Sequence, residues 1–166
     1  MFKDIDKPSL PEHALLQKYR ESGDYTDCYR TKIESPVSHR EFVKAFYTTW
    51  LFRLERFILK WLLSKPSSDD EVQRLVNAQQ DKFAAWTVEA RAENQLLMCD
   101  FRGRTRSWFM TARDGDATFL YFGSAVIRAS TSASGEPELG KSISLLMGFH
   151  KLYSRALLSA ARVRLR

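Results

Sequence analysis

The chain has 166 residues, with 26 Lys plus Arg against 20 Asp plus Glu and a formal net charge of +6, a length that fits one domain spanning 1–166 and able to bury roughly two-thirds of its unfolded surface without metals or disulfides. Its two cysteines, Cys28 and Cys99, lack the CxxC or Cys/His spacing of a zinc site, so free thiols, no metal and no cofactor are expected. The modest positive balance speaks to solubility and association rather than to fold.

At the amino terminus, "MFKDIDKPSLPEH" carries acids and prolines where a secretory signal needs a basic start and an apolar run, so a cytoplasmic protein is expected. Residues 1–22 form an extension with a short helix. The next segment, "GDYTDCYRTKI", reads as a strand near 24–33 whose alternation puts Tyr25, Asp27, Tyr29, Thr31 and Ile33 on one face.

A helix over 38–64 follows. Ser38-His39-Arg40-Glu41 fits a capping box, and Phe42, Phe46, Trp50, Leu54, Phe57 and Trp61 recur at three- and four-residue steps, which predicts a buried Trp50. Arg53, Glu55, Arg56 and Lys60 interrupt this apolar stretch, so it is no membrane span. An interfacial helix is the alternative to a core helix here. Lys65-Pro66 stops the helix, and Ser67-Ser68-Asp69-Asp70-Glu71 starts a second with Val72, Leu75 and Val76 on its apolar side.

From Phe83 the period becomes two, and four strands are expected near 83–91, 95–101, 105–113 and 117–128, with "RDGD" marking a tight hairpin. This is an antiparallel meander. The small-residue segment "RASTSASGEPELG" then leads into a final helix over 141–162, whose buried centre is expected along Leu146, Phe149, Tyr153, Leu157 and Ala160.

Arg102 and Arg104 flank Gly103 at a strand junction, where a turn leaves them in solvent. Arg106 shares a strand face with Trp108 and Met110; if that face is inward, its guanidinium needs a carboxylate, with Asp100 or Asp27 as candidates. Because Trp108 and Phe109 take opposite faces of one strand, the run is a poor nucleic-acid platform. Arg162, Arg164 and Arg166 complement the dipole at a helix carboxy terminus. No phosphate-binding glycine loop, GxSxG elbow or HExxH pair is present. His13 and His39 stand in polar, exposed-looking contexts, while His150 falls at the border of the last helix's buried stripe.

The order strand, two helices, meander and long terminal helix resembles the helix-grip architecture of the START-like, or SRPBCC, superfamily, and "GDYTDCYRTKI", "ENQLLMCDFRGRTRSWFM" and "GFHKLYSRALL" resemble an uncharacterised bacterial family to which that fold has been attributed. The resemblance implies an α+β fold with a curved antiparallel sheet wrapped around the last helix, two helices inserted after the first strand, and a cavity between sheet and helix. A cone-shaped fold of the SnoaL or nuclear-transport-factor kind is the alternative, although there the long helices precede the sheet. The resemblance also brings Asp27 and His150 forward together.

The leading expectation is a binding module for a small hydrophobic or aromatic molecule, with Trp50, Trp86, Arg106, Trp108, Tyr121 and Tyr153 as ligand-binding candidates and residues 129–140 as a movable cover. A second is an enzyme of the cyclase or hydratase kind, with His150 as acid or base and Asp27 orienting it. A third is a filled-core protein that acts through its surface.

Overall fold

A computed structural model of the chain describes residues 4–53, 68–127 and 140–166, of which 140–150 are described as backbone only. Helix α1 spans Gln17–Glu21 and strand β1 Tyr25–Ile33; helices α2, His39–Tyr47, and α3, Asp69–Val76, follow. The meander comprises β2 (Lys82–Phe83), β3 (Trp86–Ala92), β4 (Gln95–Asp100), β5 (Thr105–Asp114) and β6 (Ala117–Val126), and helix α4 runs Gly140–Arg164.

The six strands form one antiparallel sheet in the order β1-β6-β5-β4-β3-β2, so the first strand in sequence pairs with the last. With α4 packed on the sheet through β1 and β6, the architecture is the expected α+β helix-grip arrangement. Hairpin connections explain the antiparallel order, since consecutive strands joined by short turns pair side by side. Gly115 takes φ +61 in the two-residue turn between Asp114 and Ala117, a backbone conformation open to glycine at no steric cost.

Alternation divides the sheet into two buried faces. One, carrying Tyr29, Ile33, Leu96, Met98, Phe109, Leu120 and Phe122, packs under Phe42 and Phe46 of α2, Val72 and Leu75 of α3, and Leu157, Leu158 and Ala161 of α4. The other, carrying Cys28, Leu97, Trp108, Met110 and Ala125, lies under Leu10, Ala14 and Leu16 of the amino-terminal segment. That segment also guards the free edge of β1, where Asp6 and Arg30 exchange backbone hydrogen bonds at 3.0 Å. An unguarded edge strand invites pairing with other chains.

Three expectations change. The stretch expected as one helix over 38–64 breaks within its described part: α2 ends at Tyr47, and helical residues resume at 50–53, while 54–64 lie outside the described residues. The Thr48 and Thr49 hydroxyls donate back to the carbonyls of Lys44 and Phe46 at 2.7 and 2.9 Å, and the Thr49 hydroxyl then accepts from the Phe52 amide at 3.2 Å. Such back-bonding competes with the helical ladder. The restart turns Phe52 inward, 3% exposed, and leaves Trp50 72% exposed rather than buried.

The strand expected over 83–91 is instead split, with β2 and the start of β3 forming a small hairpin, because Ala84 takes a left-handed φ of 53 at the turn between Phe83 and Trp86. Within β3 the register shifts between Val88 and Ala90, so Glu89 is a bulged residue. Before the bulge Trp86 and Val88 face the helices; after it Ala90 faces the amino-terminal segment. Finally, α4 buries Ser154, Leu157, Leu158 and Ala161, a line rotated from the expected one, with Tyr153 and Ala160 half-buried at its flank; Leu146 and Phe149 lie outside the described side chains.

Candidate functional site

Between the sheet and α4 the core leaves a cavity of about 180 Å³. Its walls are aromatic: Phe46, Tyr47 and Phe52 come from the helical layer, Trp86, Phe109 and Phe122 from the sheet, and Tyr153 from α4, beside Leu157. The rings meet edge to face or tilted, with Phe46 edge-on to Phe109 at 4.8 Å and Tyr47 edge-on to Phe52 at 4.8 Å between centroids. Such contacts suit the ring quadrupoles and fix the wall shape. Among the described residues the polar part of the lining is Thr105, Arg106, Ser107 and Ser154.

That polar side continues across the sheet. Ser107 of β5 is opposite Ser124 of β6, which is opposite Asp27 of β1; one step further along, Thr105, Val126 and Tyr25 form a parallel row. Asp27 is 4% exposed, and its Oδ1 accepts from the Ser124 amide at 2.9 Å and from the Ser124 hydroxyl at 2.6 Å. A buried carboxylate needs such donors. The Tyr25 hydroxyl donates to Asp27 Oδ2 at 3.4 Å. Burial first, and the Asp27 charge second, push the Tyr25 and Tyr29 hydroxyls upward, Tyr29 to about 12, so both are protonated donors at neutral pH.

Of the sequence candidates, Trp86, Arg106 and Tyr153 line this cavity. Trp108 and Tyr121 do not: they stand on the opposite face, neighbours of Phe109 and Phe122 one residue along their strands, and the Trp108 indole donates to Gln95 Oε1 at 2.8 Å. Trp50 stands in solvent. His150 belongs to α4, but its side chain lies outside the described residues, so its meeting with Asp27 does too; so do residues 129–139 of the cover expected over 129–140. Phe46, Phe52, Phe109 and Phe122 line the cavity but were not among the sequence candidates. For Phe109 and Phe122 the signal was parity: on β5 and β6 they alternate with Trp108 and Tyr121.

Arg106 touches the cavity, yet its guanidinium is held elsewhere. Its Nε donates to Glu89 Oε2 at 2.5 Å and to the Tyr19 hydroxyl at 2.9 Å, and its Nη1 donates to the Gly103 carbonyl at 2.8 Å. Lys18 joins the same carboxylate at 2.5 Å. Burial pushes Glu89 upward, but hydrogen bonds from Lys18 and Tyr19 and the charge of Arg106 outweigh it and hold the carboxyl below its ordinary value. The carboxylate that Arg106 requires is therefore Glu89, not Asp100 or Asp27. Asp100 instead closes the turn, accepting from the Arg104 and Thr105 amides at 2.7 and 3.0 Å, and Arg102 and Arg104 are exposed as expected.

A wider, open depression of about 600 Å³ lies at the other end of the sheet, near His39, Glu93, Asn94 and Arg113. Its polar groups are of mixed sign and partly engaged: Glu41 accepts from the Ser38 amide at 2.8 Å in the capping box, and the Asn94 amide donates to the Thr111 carbonyl at 2.8 Å. His39, expected in solvent, is half-buried with Nε2 shut away from water, and burial pushes its pKa down to about 4. The thiols are free: Cys28 is buried and pushed up to about 12, chiefly by burial, and Cys99 is half-buried. Among the described residues no group of His, Cys, Asp and Glu is placed to hold a metal, and no helix is long and apolar enough to cross a membrane.

No protein-family model and no curated protein matches the chain. Among solved structures it is similar to the solution NMR structure of CalU16 from Micromonospora echinospora, at 11% identity and a TM-score of 0.40 over 95% of this chain and 71% of that one. It is also similar to the crystal structure of CalU16, at 12% identity and a TM-score of 0.33 over 96% of this chain and 90% of that one.

Proposed function

We propose that this protein is a binding module that holds a small apolar or aromatic molecule between its sheet and α4. The observation that carries this reading is the aromatic-walled cavity of about 180 Å³ between the sheet and α4. Engineered apolar cavities of roughly 150 Å³ hold a benzene molecule, so a single ring fits. A ligand that removes about 200 Å² of apolar surface from water gains on the order of 5 kcal/mol before ordering costs.

The cavity favours this reading over a filled-core protein that acts through its surface. Catalytic use of the site is the second reading, with His150 as acid or base and Asp27 orienting it; the burial of Asp27 on the face toward α4 supports it. Loss of ligand turnover, but not of binding, in Asp27→Asn would favour the enzyme.

The test is titration with toluene, followed by nuclear magnetic resonance shifts of the Phe109 and Phe122 amides, at low and high salt. Saturable binding that survives salt is expected, since the attraction is apolar rather than ionic. Leu157→Trp, which fills the cavity, abolishes it. No saturable binding to the parent protein would defeat the reading.

A further inference from the structure

We infer that the ligand is an uncharged single-ring molecule bearing one hydroxyl or N–H group, a phenol in size and chemistry, with that group directed to Ser107 and Thr105; this rests on the cavity reading above. Three observations converge on it. The first is volume: about 180 Å³ admits one ring and few further atoms.

The second is that the described lining offers no uncommitted cation. Arg106 is the cationic residue among the described lining, and Glu89 and Tyr19 on the opposite face draw its guanidinium away. A carboxylate ligand would lose its hydration and find no uncommitted cation among the described lining to replace it. The described lining therefore disfavours carboxylates.

The third is the polar strip. Thr105 and Ser107 present hydroxyl side chains in a lining that is mainly aromatic. Ser107 stands beside Ser124, whose own hydroxyl is committed to Asp27 at 2.6 Å, so the row is fixed at its far end by a buried carboxylate. A serine hydroxyl both donates and accepts, and it matches a phenol oxygen or an N–H equally well. A purely apolar cavity has no such strip.

The comparison of toluene, phenol and benzoate at pH 7 tests this directly. Water holds phenol more firmly than toluene, so a cavity without a hydrogen-bonding partner would favour toluene by about tenfold or more. Phenol is expected to bind at least as tightly as toluene, and benzoate at least about tenfold more weakly than phenol. In Ser107→Ala the ratio of phenol to toluene affinity falls about tenfold, and Thr105→Val, which keeps the side-chain shape, provides the same ratio should the serine variant fold poorly. Toluene binding with no relative gain for phenol, or with benzoate equal to phenol, overturns the inference and leaves the cavity reading standing. Binding of none of the three overturns both.

Discussion

Gln95 and Trp108 meet across adjacent strands, with the indole Nε1 donating to the Gln95 amide oxygen at 2.8 Å. The same oxygen accepts from the Leu15 amide at 2.9 Å, and the Gln95 nitrogen donates to the His13 carbonyl at 3.0 Å. One buried amide thus ties the amino-terminal segment to the sheet. Gln95→Leu keeps the volume but strands three polar groups, at about 1 to 3 kcal/mol for each that stays dry. A loss of about 3 kcal/mol in urea unfolding is expected, with earlier protease cleavage within residues 4–22; an unchanged midpoint would show that water replaces the amide.

Gly123 sits where a side chain has no room. An added Cβ would lie 2.6 Å from the Asp27 carbonyl oxygen, 3.0 Å from the Trp108 ring and 3.2 Å from Leu16. Gly123→Ala therefore forces β1 and β6 apart, and a loss of about 2 to 3 kcal/mol is expected. Because the closest atom is backbone, adding Leu16→Ala does not restore stability. Recovery in that double variant would place the strain in the side chains instead.

Burial keeps His39 neutral down to about pH 4 in the folded protein, against an ordinary value near 6.5. A depressed histidine pKa contributes stability that is complete above about pH 6.5 and is lost as pH falls toward 4, because the unfolded chain takes up the proton first. Between pH 7 and pH 4.5 this removes about 2 kcal/mol. His39→Gln abolishes that component, so the variant loses correspondingly less stability than the parent across the same interval in urea titrations. Parallel losses in the two proteins would refute the assignment.

Trp50 and Phe46 offer a contrast in one short stretch, 72% and 1% exposed. Phe46→Ala is expected to cost about 3 to 5 kcal/mol through lost contacts and a residual cavity, and Trp50→Ala within about 0.5 kcal/mol of zero. Thermal unfolding of both variants separates the broken helix from a continuous one, in which the tryptophan would be the costlier loss.

Strand boundaries were legible from alternation and turn chemistry. The expected 24–33, 95–101, 105–113 and 117–128 stand against Tyr25–Ile33, Gln95–Asp100, Thr105–Asp114 and Ala117–Val126. Local rules also marked the capping box at Ser38 and the start of the second helix within Ser67-Ser68-Asp69-Asp70-Glu71, where Ser68 makes the same reciprocal hydrogen bonds. Alternation places Trp108 and Phe109 on opposite faces but does not say which face receives α4. Long-range packing decides that, and it put Phe109 at the cavity and Trp108 under the amino-terminal segment. The bulge at Glu89 was equally hidden, because its partners Lys18, Tyr19 and Arg106 are distant in sequence. The break at Thr48 and Thr49 did have a local sign, two adjacent β-branched hydroxyl residues, which the strong apolar periodicity overrode.

The pairing of β1 with β6 joins residues as far apart as Asp27 and Ser124, separated by 97 positions. On a ribosome adding about 5 to 20 residues per second, the first strand emerges some 5 to 20 s before its neighbour exists. The seat of the amino-terminal segment at Gln95 and Trp108 is likewise made late. Cys28, Tyr29 and Ile33 therefore lack their sheet neighbour through most of synthesis, and pairing over so long a separation is intrinsically slow. Slow translation across the meander would prolong that exposure, which makes yield in the cell sensitive to elongation rate and to chaperones that hold apolar strands.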